Sequence, residues 1–336
     1  MLIDFPVNGT GYNTQARNIG ETSNKGIEFQ LNGVIVDTKD WGFDINFNIS
    51  KNKGKVKSLG GLKQIIAGST WTSTMSDDYR VYVGQEIGLM YGYVTEGRYS
   101  VDDFNWDGSK WVLAGVVTDE KGNYVSGPAD NSSITGKSWG PGALKLKDVN
   151  KDGKIDANDR QVIGHAAPKF TGGFGINLRY KNFDLSLYIQ GSQGNDICFA
   201  SKGGRDGLDF WGDYFNKSTR ILNTWTPENR NAELPEINIL NPNDEAGKVS
   251  SYLIEDGSYI RLKQLELGYT LPKQTLSKIG LQQCRVYLNA ENLLTLTKYN
   301  NIDPEVKNGD DKNMGVDYMN NMPLARVFSI GFNLSF

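Results

Sequence analysis

The chain has 336 residues, with 36 Lys and Arg against 39 Asp and Glu. The formal net charge of -3 excludes a general attraction to nucleic acid, and no Lys/Arg cluster is interleaved with aromatics as a nucleic-acid groove requires. Only 38% of residues are hydrophobic while Gly reaches 39 and the rings comprise 16 Tyr, 14 Phe and 7 Trp, a make-up of turns and β structure rather than of an ordinary soluble enzyme.

In chain order, the opening Met1-Leu2-Ile3-Asp4-Phe5-Pro6 lacks the basic and apolar regions of a signal peptide. Ile27, Phe29, Leu31 and Ile35 then alternate with Glu28, Gln30 and Asn32, the two-residue period that puts one set on each face of a strand. Asp37-Thr38-Lys39-Asp40 reads as a turn. Beyond it, Trp41, Phe43, Ile45, Phe47 and Ile49 oppose Gly42, Asp44, Asn46, Asn48 and Ser50, so a hairpin with one apolar and one polar face is predicted. No run of about eighteen apolar residues exists anywhere, which excludes a membrane-spanning helix but not a barrel strand of roughly 9–11 alternating residues.

Gly97 to Leu144 is a long connection rich in Gly, Asn, Ser and Asp that carries Trp106, Trp111 and Trp139. The stretch Asp148 to Asp159 follows, D-V-N-K-D-G-K-I-D-A-N-D. Asp148, Asn150, Asp152 and Asp156 fall at positions 1, 3, 5 and 9 of a calcium loop, Gly153 at the sharp turn of position 6, Lys154 at position 7 with its carbonyl, and Asp159 at position 12. Asp159 replaces the usual Glu and is a shorter closing carboxylate. No helical pattern flanks the loop, so it is not the paired-helix unit of a calcium sensor. The alternative is an acidic turn that binds nothing.

His165, the only histidine, lies in G-H-A-A-P-K without any G-x-S-x-G elbow and reads as a turn residue. Phe174, Ile176, Leu178 and Tyr180 alternate with Gly173, Gly175, Asn177 and Arg179; Lys181-Asn182 forms a tight turn; then Phe183, Leu185, Leu187 and Ile189 alternate with Asp184, Ser186, Tyr188 and Gln190. A second long connection, from about Asn195 to Ser250, holds Phe210, Trp211, Tyr214, Phe215 and Trp225. Exposed rings among polar residues suit sugar stacking or a partner protein, against the alternative of packing the loop onto itself.

Tyr259 to Leu271 is a strand whose apolar phase slips between Leu262 and Leu265, as at a bulge. Val286, Leu288 and Ala290 alternate with Arg285, Tyr287 and Asn289. The chain ends with Phe328, Ile330, Phe332, Leu334 and Phe336 on one face. Cys198 and Cys284, the two cysteines, are free thiols or one bridge.

Alternation alone fits a soluble sandwich or a membrane barrel. Very short turns exchanged with very long loops, and a last strand ending in an aromatic, favour the barrel. Several motifs decide the comparison: N-K-G-I-E-F at Asn24 to Phe29, G-Q-E-I-G-L-M-Y-G-Y at Gly84 to Tyr93, and the block from Asp148 to Leu185 that includes V-I-G-H-A-A-P-K-F-T-G-G-F-G. They continue with W-T-P-E-N at Trp225, Y-I-R-L-K-Q-L-E-L-G-Y at Tyr259 and N-A-E-N-L-L at Asn289. Together, over nearly the whole chain, they resemble the C-terminal part of the SusC/RagA family of TonB-linked outer-membrane transporters.

The resemblance implies an all-β fold, the C-terminal part of a large antiparallel transmembrane β-barrel of about 22 strands with long extracellular loops. It implies a place in the cell outer membrane of a Bacteroidetes-like bacterium. It also implies contact with membrane lipid, a SusD-like surface lipoprotein as lid, energising by the TonB complex, and a glycan or peptide ligand. Residues 1–336 read as barrel only, ten or so strands with neither plug, TonB box nor signal peptide, hence as a fragment of an importer. Polar strand faces would line the lumen. Trp106, Trp111, Trp139, Trp211, Tyr214 and Trp225 would serve ligand or partner loops. Phe332, Leu334 and Phe336 would be the assembly signal, and Ca2+ a structural staple at Asp148 to Asp159. No catalytic arrangement is expected: carboxylates abound without the separation a glycosidase pair needs. The competing expectation is a secreted, calcium-stabilised β-sandwich that binds carbohydrate.

Overall fold

The computed structural model describes residues 2–6, 9, 11, 14–18, 20–67, 77–135, 140–200, 202, 218–232, 234, 249–276, 280–306, 314–317 and 322–336. Its main element is one 7-stranded antiparallel sheet in which chain neighbours are also sheet neighbours. The strands are β1 (Gly20–Asp37), β2 (Trp41–Leu59), β3 (Phe170–Tyr180), β4 (Phe183–Gln193), β5 (Tyr259–Thr270), β6 (Gln283–Thr297) and β7 (Val327–Ser335). This up-and-down order is the simplest a chain with hairpin turns can adopt, and the wall has seven strands among the described residues rather than ten.

Both predicted hairpins form. Tyr180 pairs with Phe183 around Lys181-Asn182, and Lys181 takes the left-handed backbone (φ 52°) that a two-residue turn demands. The predicted phase slip is a bulge at Lys263: the consecutive residues Tyr188 and Ile189 of β4 pair with Gln264 and Leu262, which leaves Lys263 as the extra residue. At one end the strands are joined by 38–40, 181–182 and 271–282. At the other, the connections are 60–169, 194–258 and 298–326.

The two faces differ in chemistry. On the apolar face, Trp41, Tyr180, Phe183 and Tyr269 form a row across four strands at the short-turn end, with ring centroids 4.2 Å apart for Trp41 and Tyr180 and 4.6 Å for Phe183 and Tyr269. Above it the face stays apolar and uncovered: Ile27 is 78% exposed and Phe328 70%. A soluble chain rarely exposes an apolar patch beyond a few hundred Å². Among the described residues no second sheet covers this face, which corrects the sandwich expectation.

The hydrophobic core lies instead in the long connections. Tyr79, Met90, Cys198, Val249, Leu253 and Val316, drawn from all three, form one buried cluster. Backbone bonds seal it: Tyr93 N–H donates to the Val249 carbonyl (3.0 Å), Ser251 N–H to the Tyr93 carbonyl (2.8 Å), and Cys198 pairs in parallel with Val316. Gly92 is required at the seam because a Cβ there would stand 2.3 Å from the Val249 carbonyl oxygen. The connections are thus a packed cap with short strands, among them Tyr79–Tyr82, Leu89–Gly92 and Gln161–His165. His165 ends a strand and is no turn residue. Cys198 and Cys284 are both free and buried, and burial pushes the Cys198 thiol up.

Candidate functional site

The polar face of the wall brings together the residues expected there. Asp44, Asn46 and Asn48 stand opposite Asn177, Gly175 and Gly173, and Asp184, Ser186 and Gln190 follow on β4. Glycines make room for large polar groups: a Cβ on Gly173 would lie 2.3 Å from the Tyr188 hydroxyl oxygen, and one on Gly331 would lie 2.2 Å from the Tyr287 ring. Near the short turns the Arg285 guanidinium bridges Asp184 and Glu266, the latter at 2.6 Å.

Near the cap sits Arg261, 2% exposed. Its Nε donates to Thr295 Oγ1 (2.9 Å) and its Nη2 to Asp303 Oδ1 (2.7 Å), while Nη1 lies 3.2 Å from Glu305 as an ion-pair contact without hydrogen-bond geometry. Glu305 also accepts from Gln190 Nε2 (2.8 Å) and the Tyr259 hydroxyl (3.0 Å). Burial opposes the charge on Asp303, yet the Glu305 N–H, the Arg261 guanidinium and the Leu324 N–H outweigh it, and its carboxyl is held below the usual range. This clamp was not anticipated from the sequence. An arginine set between Ile260 and Leu262, in Y-I-R-L, was the available signal.

The loop aromatics divide. Trp106 is 56% exposed, edge-on to Trp111 at 5.3 Å. Trp111 is half-buried against Phe104 and lies over Gly140. Trp225 is 5% exposed with its ring on Gly142, so it packs the cap and does not face outward, a correction that follows from the close approach only glycine allows. Trp139, Trp211 and Tyr214 lie outside the described residues.

In the acidic loop, Gly153 takes the left-handed backbone (φ 80°) of the expected sharp turn. Asp148 accepts the N–H groups of Lys151 (2.6 Å), Asp152 (3.3 Å) and Gly153 (2.8 Å), and Asn150 accepts that of Asp152. Asp156 caps a 3-10 turn through Asn158 N–H. Asp159, fully buried, accepts from Val149 (2.8 Å) and Asp156 (2.8 Å). The donor set is all oxygen, as a hard cation needs. Among the described residues, however, no three carboxylates are gathered as a metal-holding group, and those of the loop accept backbone N–H groups.

No protein-family model matches the chain. TonB-dependent receptor P3 of Formosa agariphila is 33% identical over 97% of the chain and 30% of its own length. The chain belongs to the TonB-dependent receptor family. TonB-dependent receptor SusC of Bacteroides thetaiotaomicron is 27% identical over 99% of the chain, and the chain spans about a third of the length of these relatives. The solved RagAB peptide transporter superposes over 100% of the chain with a TM-score of 0.69 at 24% identity, the same fold. In a receptor of this family the observed wall is a barrel segment. Phe332, Leu334 and Phe336 lie on its apolar face, with Phe336 82% exposed at the short-turn end.

Proposed function

We propose that the chain supplies barrel wall and surface cap to an outer-membrane importer of a Bacteroidetes-like bacterium, one that moves a nutrient without changing it. The observation that carries this is the two-faced meander: an uncovered apolar face for lipid, and a charged, hydrogen-bonded face for a lumen, under a packed cap. The named relatives are receptors and transporters rather than enzymes. The cargo we assign first is an oligosaccharide, with Trp106 as a stacking ring. The RagAB likeness makes peptide the second assignment. A SusD-like lipoprotein would sit on the cap, and the TonB complex would act through parts of the receptor outside this chain. Uptake of labelled oligosaccharide and of labelled peptide by cells carrying the whole receptor tests this, and Trp106→Ala is expected to lower oligosaccharide uptake several-fold. Uptake of neither ligand rejects the assignment. Phe332, Leu334 and Phe336 are proposed as the assembly signal, so deletion of Phe336 is expected to reduce outer-membrane levels of the receptor.

Calcium is the proposed structural cofactor of the acidic loop. Asp148, Asn150, Asp152, Asp156 and Asp159, with the Lys154 carbonyl, would hold it, and its charge would offset their repulsion. Because the carboxylates now serve backbone N–H groups, binding would draw them together and be weak. Calorimetry on the receptor is expected to show calcium heat at about millimolar or lower concentration, abolished by Asp152→Ala. Absence of heat in the unaltered protein leaves the loop a purely hydrogen-bonded turn.

A further inference from the structure

On β2 the apolar face carries Trp41, Phe43, Ile45, Phe47 and Ile49, and then continues through Lys51, Lys53 and Lys55. The register with β1 runs unbroken from Gly33 opposite Ile45 to Thr22 opposite Val56, so no bulge turns these lysines to the other face. The interval from Trp41 to Lys51 matches the roughly 9–11 residues of a tilted membrane strand. The lysines therefore begin where the apolar band ends, on its own side, at the cap end of the wall.

A cleft of about 590 Å³ opens beside them. Lys51, Lys53, Lys55 and Lys169 line it, and Glu86 is the one carboxylate among its described lining residues. Glu86 is 3.6 Å from Lys53, and Lys169 lies within electrostatic range of Asp256, while Lys51 and Lys55 make no ion pair among the described residues. Directly below, a groove of about 300 Å³ lies between Phe47, Ile49, Phe174, Ile189 and Ile260. Its floor is Gly172 directly opposite Gly191, where a Cβ would stand 2.8 Å from the carbonyl oxygens of Asn48 and Tyr259 respectively. Furrow and cleft are neighbours on this face: Ile49 of the furrow stands two residues below Lys51, and Phe170 of the furrow follows Lys169 of the cleft, where four lysines face Glu86 and Asp256.

We propose that furrow and cleft form one lipid site, the furrow taking an acyl chain and the lysines the phosphate groups of an anionic lipid in the outer leaflet. A dissolved anion has no use for the furrow, and a neutral lipid has none for the lysines. Close lysines repel one another until an anion with more than one charge lies between them, and near a membrane each contributes appreciably to holding an anionic headgroup. The inference rests on the proposed membrane placement of the apolar face.

The test is native mass spectrometry of the whole receptor in detergent with diphosphorylated lipid A, the same lipid without phosphates, and inorganic phosphate as competitor. The phosphorylated lipid is expected to bind about tenfold or more tightly than its dephosphorylated form. The preference is expected to vanish in the triple variant K51Q/K55Q/K169Q, whose side chains are exposed and in which glutamine keeps most of the Lys169 stem that lies over Gly194, and to shrink as salt is raised. Equal binding of the two lipids, or an unchanged preference in the triple variant, overturns the proposal. So does displacement of the lipid by equimolar inorganic phosphate, which would mark a site for the free anion. A receptor that fractionates without membrane and carries no detergent belt would sink the import assignment as well, whereas a membrane-embedded receptor without phosphate preference would sink only this inference.

Discussion

Replacing Ile330 with arginine is expected to destabilise the folded wall by about 2–4 kcal/mol, and replacing the adjacent Ser329 with arginine by less than about 1 kcal/mol. Ile330 closes a row of paired residues, Phe43, Leu178, Leu185, Leu267, Leu288 and Ile330, that crosses the apolar face. Ile330 lies inside the apolar run Phe328 to Phe336 of its own strand, flanked by Phe328 and Phe332, where a charge faces lipid away from the ends of the band. Ser329 opposes Asn289 on the polar face, where water hydrates the guanidinium. Urea titration of the receptor folded into lipid vesicles measures both changes. The contrast separates lipid from water decisively, because on a water-facing surface Ile330→Arg removes an apolar side chain that is 62% exposed and should be neutral or stabilising. An unchanged or raised midpoint for Ile330→Arg would sink the membrane placement.

The wall was legible in the sequence because a sheet with chemically different faces writes a two-residue period into every strand. Even the bulge at Lys263 showed as a phase slip between Leu262 and Leu265. The cap was illegible for the complementary reason. Tyr79, Arg80 and Val81 are buried in succession, so that strand has no exposed face to mark with polar residues. Its contacts also join segments far apart in the chain, as when the Tyr79 hydroxyl donates to the Met314 carbonyl at 2.7 Å. The acidic loop shows a third kind of limit. Spacing fixed which residues carry oxygens, but Asp159 turns both of its oxygens to backbone N–H groups, and spacing cannot tell that use from ligation. Trp106 and Trp225 sit in similar polar company, and the close approach of Trp225 to Gly142 is a tertiary fact with no local sign.

Arg261→Ala is expected to cost about 3–5 kcal/mol and to release the segment after β6 from the wall, since the change leaves Asp303 and Glu305 with little exposure and no counter-charge. The effect should reach the cap. The same segment holds Tyr299, whose hydroxyl donates to Asp317 at 2.6 Å, and Asp317 lies in the strand paired with Asp196–Phe199 of the second connection. Limited proteolysis of the folded receptor is the direct readout, with new cleavage expected within 298–326. The triple change R261M/D303N/E305Q should restore most of the protection, because it removes the stranded charges along with their partner and keeps the approximate side-chain volumes. Acid should imitate the single change. The folded-state pKa of Asp303 is lowered, so its stabilising contribution is complete above the ordinary Asp value of about 3.9 and is lost as pH falls through the lowered value. Cleavage should therefore rise on acidification below about pH 4 in the unaltered receptor, and much less in the triple variant, which has no Asp303 carboxyl left to titrate. Equal protection of Arg261→Ala and the unaltered receptor at neutral pH would show that the clamp does not hold the cap to the wall.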